Sequence, residues 1–305
     1  MEKLKSILKL SVFICVLCLS CSTNEEIVFN DPELPENIYR LAVVVHVIHN
    51  GQLIGEDQNL SAERIQRQIE ILNEDFRRKE GTRGFNTDPN SADSKIEFVL
   101  AKRDPNGQII NGINRVDASI IEVDNLGYNQ NHYAQYAYWD SEKYINIWLT
   151  PLPSQLDCLV LGLSSGPSTD LPGTEYLSIP QEGDAEGILI NTSHFGETNT
   201  DCHANLGRTL THEMGHYLGL LHPWGNGDCN TNDYCSDTPA VDVPVFGSNQ
   251  FIGCEQEVVM ISNYMNFSDD EVMNVFTKNQ IERMHYVLNN HNGRNALLTS
   301  EALNN

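Results

Sequence analysis

Residues 212–222, which read HEMGHYLGLLH, carry the side chains best suited to chemistry in this chain. Residues four apart lie on one face of a helix, so His212 and His216 would present two imidazoles to a single point. Gly219 tolerates the positive φ of a sharp turn, after which His222 supplies a third nitrogen. Three histidines with an open fourth position are typical of a catalytic zinc ion, whereas a structural zinc site is closed by four protein ligands.

Glu213 follows the first of these histidines and is predicted to reach a metal-bound water without being a ligand. Zinc lowers the pKa of its bound water to about 7, so Glu213 could accept the water proton and pass it to the leaving amine. The predicted reaction is hydrolysis of a peptide bond. Two other functions stay open: a zinc-bearing surface protein that binds without turnover, and a zinc amidase acting on a non-protein amide. Glu213 argues against the first, because a pure binding protein needs no base.

The apolar pattern predicts the strands that would position this segment. Residues 41–48 (LAVVVHVI) are almost continuously apolar and β-branched, as expected of a strand buried on both faces. Further strands are predicted at residues 96–100, 144–149 and 187–191. The last of these lies just upstream of the zinc segment, and it is either an interior strand or an exposed edge that could pair with an extended peptide.

Three helices are predicted. Ser61 can cap the first helix. Its apolar residues recur at helical spacing: Ile65, Ile69, Leu72 and Phe76. The zinc helix should begin near Asn205, with its ligands facing away from the core into a cleft. Thr277 and Gln280 form a capping box at the start of the last helix, and Gly293 lies past its predicted end.

The composition excludes one class of partner. The chain has 305 residues, with 19 Lys and Arg against 42 Asp and Glu, and its formal net charge is −23. This acidity argues against nucleic acid as a partner and fits either a well-solvated surface or a field that steers cationic substrates. The length permits one large core, in one or two domains.

Residues 1–21 have the pattern of a secretory signal. Three lysines precede an apolar run at residues 10–19, which is too short to span a bilayer as a mature helix. The run ends in LSCS, which is similar to a bacterial lipobox with Cys21 as the lipidated residue, although Cys18 stands where leucine is usual. The protein is expected either at the outer membrane or cell surface of a bacterium, held only by the lipid at Cys21, or freely secreted after ordinary cleavage.

The segment at residues 22–38 is polar and contains two prolines, which predicts a tether or a short pro-segment. Export would place the later cysteines in an oxidising compartment. Five cysteines follow the signal, so one or two disulfides are possible and at least one thiol is left over. These cysteines are Cys158, Cys202, Cys229, Cys235 and Cys254.

Beyond the zinc segment, the sequence resembles the pappalysin branch of the metzincin zinc peptidases. The likeness is carried by NYMNFSDD at residues 263–270 and by HPWGNGDC, CSDTPA, FTKNQIERM, QIEILNEDFRR and WDSEKYINIW, so it covers nearly the whole mature chain. It implies an α+β metzincin catalytic domain with a twisted, mixed five-stranded sheet, backing helices and the zinc helix at the cleft floor. The upper subdomain would occupy residues 39–222, and an irregular lower subdomain ending in a helix would occupy residues 223–305.

The same resemblance assigns roles to residues after the zinc segment. Met265 would be the Met-turn residue, an apolar floor beneath the zinc ion. Phe267 stands where the family commonly has a tyrosine that assists the transition state, and it lacks the hydroxyl. Asp270 matches a position at the base of the pocket for the residue after the scissile bond, where a carboxylate would favour Arg or Lys. The implied function is an endopeptidase of proteins and peptides that cleaves before Arg or Lys.

The resemblance also implies a structural calcium ion beside the single catalytic zinc ion. Its ligands would be the Asp233 carboxylate, the Cys235 carbonyl and Thr238, although this loop lacks the spacing of an EF-hand. A disulfide between Cys229 and Cys254 is implied as well. The other cysteines receive no partner from the resemblance.

Overall fold

The computed structural model describes residues 37–151, 158–200, 202–230 and 232–304. The signal and most of the tether lie outside these residues, so lipidation of Cys21 stays a prediction. Among the helices that the structure describes, none combines the length and the apolar character of a membrane span.

The central feature of the fold is a mixed sheet of six strands. The strands are β1 (Tyr39–His49), β2 (Ile96–Leu100), β3 (Ile113–Asp117), β4 (Ile145–Thr150), β5 (Gly162–Ser164) and β6 (Ile188–Asn191). They lie in the order β2-β1-β4-β6-β5, with β3 also paired to β1. Every pairing in this sheet is parallel except that of β5 with β6.

The six strands occupy five positions across the sheet. β2 pairs with residues 39–43 of β1, and β3 pairs with residues 45–49 of the same strand. β4 pairs with residues 43–47 and therefore takes the opposite side of β1. The first position is thus shared by two short strands, which agrees with the five positions implied by the family resemblance.

β1 confirms the prediction of a strand buried on both faces, since its residues 41–48 are all buried. Val43, Val45 and Val47 contribute to the main core, which lies between the sheet and the helices. Val44 and Ile48 belong to smaller clusters formed with other residues. A continuous apolar run is required here because no face of the strand meets water.

β6 is an interior strand, which settles the alternative left open by the sequence. All four of its residues are buried, and it lies between β4 and β5. One edge of the sheet is formed by β2 and β3, and the other is β5, a strand of only three residues that the sequence did not predict. β5 contacts α3, so an extended peptide bound beside the zinc segment could pair with this edge.

The described residues form five α-helices. These are α1 (Ala62–Phe76), α2 (Gln130–Ala134), α3 (Arg208–Tyr217), α4 (Lys278–Asn290) and α5 (Asn292–Ala296). Ser61 caps α1 as predicted, because its side chain accepts a hydrogen bond from the Arg64 amide. The capping box of Thr277 and Gln280 is also present, and it begins α4.

One predicted helix end is wrong. α3 begins at Arg208 and not near Asn205, because Gly207 has a φ of 85° and so cannot continue a right-handed helix. α4 ends at Asn290, so Gly293 lies past its end as predicted, and this glycine belongs to the next short helix, α5. His291 separates these two helices with extended backbone and accepts a hydrogen bond from the backbone of the second.

After the zinc segment the chain is mostly irregular. Its described regular elements are two short parallel strands, β7 (Phe246–Gly247) and β8 (Phe267–Ser268), together with α4, α5 and short 3-10 turns. α4 packs its apolar residues into the same main core as α1 and α3. The division into subdomains at residue 222 stays a prediction.

Candidate active site

The three predicted zinc ligands converge in the structure. The Nε2 atoms of His212 and His216 lie 3.1 Å apart, and that of His222 lies 3.2 Å and 3.0 Å from them. A tetrahedral zinc ion with bonds of about 2.0 Å would hold its nitrogen ligands about 3.3 Å apart. The spacing of the three atoms therefore suits such an ion.

The hydrogen bonds of the Nδ1 atoms determine which nitrogen of His212 and of His216 has a lone pair available for a metal. His212 Nδ1 lies 2.8 Å from the Tyr264 carbonyl oxygen, and His216 Nδ1 lies 2.8 Å from that of Leu220. A carbonyl only accepts, so each Nδ1 carries the proton and each Nε2 of a neutral ring presents a lone pair. Lone pairs that meet at this distance repel one another unless a cation lies between them.

Burial keeps all three rings neutral, which is the form that binds a metal. It lowers the pKa of His212 to about 3 and that of His216 to about 4. The pKa of His222 is also lowered well below its ordinary value, first by burial and then by the other two histidines. The donor set therefore fits a zinc ion.

Backbone and ring contacts bring the third histidine into place. Gly219 has the predicted positive φ, 91°, and a Cβ built on it would lie 2.7 Å from the Val287 side chain. The His222 ring stacks on Trp224, with 4.2 Å between centroids and an interplanar angle of 11°. Phe267 adds an aromatic wall, 4.9 Å from His222 and 5.6 Å from His212 between centroids.

Met265 lies against the zinc helix. Its side chain is fully buried, and a Cβ built on Gly215 would come closer to the Met265 sulfur than real Cβ contacts allow. Close packing thus explains a glycine inside α3, which costs about 1 kcal/mol relative to alanine. The predicted role of Met265 as a floor beneath the ion is compatible with this place.

Glu213 lines the same cleft as the three histidines. Burial raises the pKa of Glu213 to about 8. β5 crosses directly over this residue, since a Cβ built on Gly162 would lie 2.8 Å from Glu213 Cγ. The edge strand and the candidate base are therefore in contact, and the cleft around them has a volume of about 1170 Å³.

Asp270 lies in the wall of this cleft, almost completely buried. One carboxylate oxygen, Oδ2, accepts hydrogen bonds from the backbone N–H groups of Leu206 at 2.7 Å and Arg208 at 3.2 Å. The other oxygen, Oδ1, is buried and has no hydrogen-bond partner among the described residues. Burial raises the pKa of Asp270, and the two N–H groups oppose this rise.

The predicted calcium residues lie together. Asp233 is buried, which raises its pKa to about 7, and it accepts hydrogen bonds from the Cys235 amide at 3.1 Å and from Gln280 at 3.2 Å. The Thr238 amide donates to the Cys235 carbonyl at 3.0 Å. Whether these residues bind calcium stays a prediction.

Two further carboxylates border this loop. Asp237 Oδ1 and Glu282 Oε2 are buried without a hydrogen-bond partner in the described part of the chain. Burial and then the charge of Asp237 raise the pKa of Glu282. Orphaned carboxylate oxygens fit a hard cation such as calcium. The sequence did not predict Glu282, because no pattern shows which side of α4 meets the loop.

The described residues contain two disulfides. Cys229 is joined to Cys254, the pairing that the family resemblance implied. Cys158 is joined to Cys202, for which the sequence left the partner open. Cys235 is a free, buried thiol. The Cys158–Cys202 disulfide ties the segment before β5 to the loop before α3, and both cysteines line the cleft.

Comparison with known proteins identifies the family. The model of peptidase family M43, described as pregnancy-associated plasma protein-A, matches residues 127–289, more than half of the chain. The chain belongs to peptidase family M43, the pappalysin family of metzincins. The matched residues include the three histidines, Glu213 and Asp270.

A solved structure confirms the predicted fold. Mature mirolysin of Tannerella forsythia, in complex with a cleaved peptide, has a TM-score of 0.71 and 31% sequence identity to the chain. The match covers 89% of this chain and 100% of the mirolysin chain. The M43 chain therefore has the α+β architecture of a metzincin catalytic domain.

Several curated relatives of this M43 chain are fungal extracellular metalloproteases. An extracellular metalloprotease of Arthroderma benhamiae is 28% identical over 245 residues, which is 79% of this chain and 74% of the relative. One from Colletotrichum graminicola is 42% identical over 91 residues, which is 27% of this chain. The chain covers only 31% of the length of that second relative.

Proposed function

We propose that this M43 chain is a zinc-dependent endopeptidase. The proposal depends above all on the three imidazole nitrogens that meet at 3.0 to 3.2 Å, with a buried glutamate beside them in an open cleft. His212, His216 and His222 would hold the ion, leaving its fourth position to water or substrate. When bound, zinc supplies a Lewis acid that polarises the scissile carbonyl and acidifies water.

Glu213 is the proposed proton carrier. It would accept the proton of the attacking water and pass it to the leaving amine, so its pKa must lie near the working pH. Burial raises the pKa of Glu213 to about 8, whereas the positive charge of a nearby cation would lower it. The two effects together would bring the pKa close to 7. No covalent intermediate is needed.

The substrate would bind as an extended strand along β5. β5 pairs with β6 on one side, and no other described strand covers its outer side. Free N–H and C=O groups on that side can pair with the main chain of a peptide. A peptide held there passes over Glu213, because β5 itself lies against this residue.

The proposed specificity is for Arg or Lys after the scissile bond. Asp270 lines the cleft, and its Oδ1 is a buried acceptor without a partner in the described residues. A guanidinium or ammonium group would satisfy it with a charge-assisted hydrogen bond. A peptide-library digest should show this preference, and an Asp270→Ala variant that kept it in full would exclude the role.

A structural calcium ion is part of the proposal. Asp233, the Cys235 carbonyl and Thr238 would be ligands, and the orphaned oxygens of Asp237 and Glu282 argue for a cation in the same loop. Met265 would support the zinc site from below. The ion would join the loop to α4, because Glu282 belongs to that helix.

The proposed location is outside the cytoplasm. The signal pattern at residues 1–21 and the similarity to extracellular metalloproteases support export. Lipidation of Cys21 would add an anchor, the one proposed contact with a membrane, and residues 22–38 would be the tether. Mass spectrometry of the mature N-terminus tests this, and an unmodified terminus would exclude the anchor.

One experiment separates the proposed function from a binding protein and from an amidase. The wild-type protein, Glu213→Ala and the exposed control Glu182→Ala are incubated separately with a proteome-derived peptide library and with a cell-wall preparation, each with and without a zinc chelator. We expect cleavage by the wild type and the control, and about a hundredfold or greater loss in Glu213→Ala. Zinc content should be unchanged in all three. Cleavage of cell-wall amides alone would favour the amidase, and zinc binding without any turnover would favour the binding protein.

A further inference from the structure

A buried ion pair lies directly behind the wall of the cleft. Asp75 Oδ1 of α1 is 3.1 Å from a guanidinium nitrogen of Arg208 at the start of α3, and both side chains are at most 1% exposed. The Thr211 hydroxyl donates to the other Asp75 oxygen at 2.7 Å. Sequence reasoning missed this pair, since its members are far apart in the chain and carry no motif.

Arg208 also belongs to the surroundings of Asp270. Its backbone N–H donates to Asp270 Oδ2 at 3.2 Å, and its guanidinium donates to the Leu206 carbonyl at 2.9 Å. Burial raises the pKa of both Asp75 and Asp270, and the charge of Arg208 opposes the rise in each. One cation therefore interacts with two buried carboxylates.

The two carboxylates contact Arg208 in different ways. Asp75 forms the direct ion pair with the Arg208 side chain, whereas Asp270 is hydrogen-bonded to backbone N–H groups. One positive and two negative charges leave a net charge of about −1 in this group. Asp270 lines the cleft, so this excess negative charge lies in the cleft wall, where the buried Oδ1 has no hydrogen-bond partner in the described chain.

We propose that Asp75 is a positioning residue for specificity: by pairing with Arg208, it leaves the charge of Asp270 free for a cationic substrate side chain. This inference rests on the proposed peptidase function and deepens it. Without Asp75, Arg208 would be a buried cation lacking its ion-pair partner, which is strongly unfavourable. Asp270 would then become the counter-ion of Arg208, and the pocket would lose its attraction for Arg and Lys.

A purely structural role for Asp75 makes a different prediction. If the ion pair only fastened α1 to α3, its loss would lower stability and would affect basic and neutral substrates alike. The decisive readout is therefore the ratio of kcat/KM for a peptide with Arg after the scissile bond to that for a matched peptide with norleucine there. The assay is run at about pH 8, so that histidine charges do not enter the comparison.

Three variants test the charge balance. Asp75→Asn removes the negative charge at constant shape, and its ratio should fall about tenfold or more. The double variant Asp75→Asn/Arg208→Gln removes both charges of the pair, so a ratio close to that of the wild type should return. Thr211→Val is the matched control, because it removes a hydrogen bond to Asp75 but no charge, and its ratio should stay high. Inhibition by an Arg-Gly dipeptide, compared with norleucine-Gly, should follow the same order.

Each outcome decides the inference. An Asp75→Asn variant that keeps the wild-type ratio overturns it while the peptidase function stands. If that variant does not fold, the double variant decides, and a folded double variant without the basic preference overturns it as well. Wild-type protein that cleaves peptides without preferring Arg or Lys removes the role of Asp270 and the inference together. Wild-type protein that cleaves no peptide removes the proposed function itself.

Discussion

Three glycines around the candidate site lie where a methyl group would collide with a neighbour. A Cβ at Gly162 would press on Glu213, one at Gly215 on Met265, and one at Gly219 on Val287. Gly162 and Gly215 have ordinary negative φ, so for these two residues space and not backbone freedom requires glycine. The position of the candidate base is therefore determined by contact with the edge strand as well as by its own helix.

This contact leads to a prediction for Gly162→Ala. The added methyl group should displace Glu213 or lift β5, and a misplacement of about 1 Å can cost about a hundredfold in rate. We expect kcat/KM for peptide hydrolysis to fall by about tenfold to a hundredfold at unchanged zinc content. Gly293→Ala is the matched control, since the nearest atom to a Cβ there is 3.5 Å away. Wild-type activity in Gly162→Ala would contradict the proposed closeness of strand and base.

His46 provides a second prediction at this scale. Its Nε2 lies 2.9 Å from Asn146 Oδ1 and its Nδ1 lies 3.0 Å from Asn114 Nδ2, so the network requires a neutral ring that donates at one nitrogen and accepts at the other. Burial lowers its pKa from 6.5 to about 4. The unfolded chain therefore takes up this proton at a higher pH than the folded chain does, and stability falls as the pH falls from 6.5 to 4.

The predicted loss from His46 is about 3 kcal/mol at most. Urea unfolding of the wild type and of His46→Gln between pH 7 and pH 4 measures it. The stability advantage of the wild type should shrink on acidification, because glutamine does not titrate. An advantage that stayed constant across this range would contradict the assignment.

Among the elements, those with a long apolar pattern were predictable from the sequence. β1, α1 and α4 follow from their buried runs and caps, and the zinc helix follows from its histidine spacing. β3 and β5 could not be predicted, because β3 is half-buried throughout and β5 has three residues whose strand conformation depends on pairing with β6. The contacts of Asp75 and Glu282 also depend on how distant elements pack, which no local pattern records.

The Cys158–Cys202 disulfide connects two elements of the fold, because it joins the segment before β5 to the loop before α3, which contains Leu206. That loop supplies the Leu206 N–H to Asp270, and the His203 carbonyl accepts from the Asp270 amide at 3.0 Å. Removing the disulfide in Cys158→Ser/Cys202→Ser should therefore loosen the pocket wall.

We expect this double variant to raise KM for Arg-containing peptides several-fold, by about 1 kcal/mol of lost binding, with a smaller change in kcat. Steady-state kinetics measures the two constants separately. Cys229→Ser/Cys254→Ser is the control, because neither of its cysteines lines the cleft; it should lower the melting temperature with little change in KM. Equal KM changes in both variants would argue against a specific role of the first disulfide.

At the scale of the whole molecule, calcium should couple the irregular part of the chain to its helices. An ion bound only by the folded state stabilises it by about 2.7 kcal/mol at a hundredfold excess over Kd. Zinc-loaded protein should therefore melt several degrees higher with about 1 mM calcium than without it. Asp237→Asn should abolish the difference, and the exposed control Asp242→Asn should keep it. A melting temperature independent of calcium would exclude the proposed ion.

The formal net charge of −23 produces a field that extends beyond the pocket. This field should draw cationic peptides towards the protein, and salt should weaken it because the Debye length falls from about 10 Å at 0.1 M to about 3 Å at 1 M. The contact with buried Asp270 is shorter than either length, so salt should screen it far less. We therefore expect kcat/KM for peptides with several distant lysines to fall with ionic strength. For a peptide whose single cation is the Arg after the scissile bond, kcat/KM should fall much less. If kcat/KM for the two peptides had the same salt dependence at constant pH, the preference for basic residues would come from the overall field and not from the pocket.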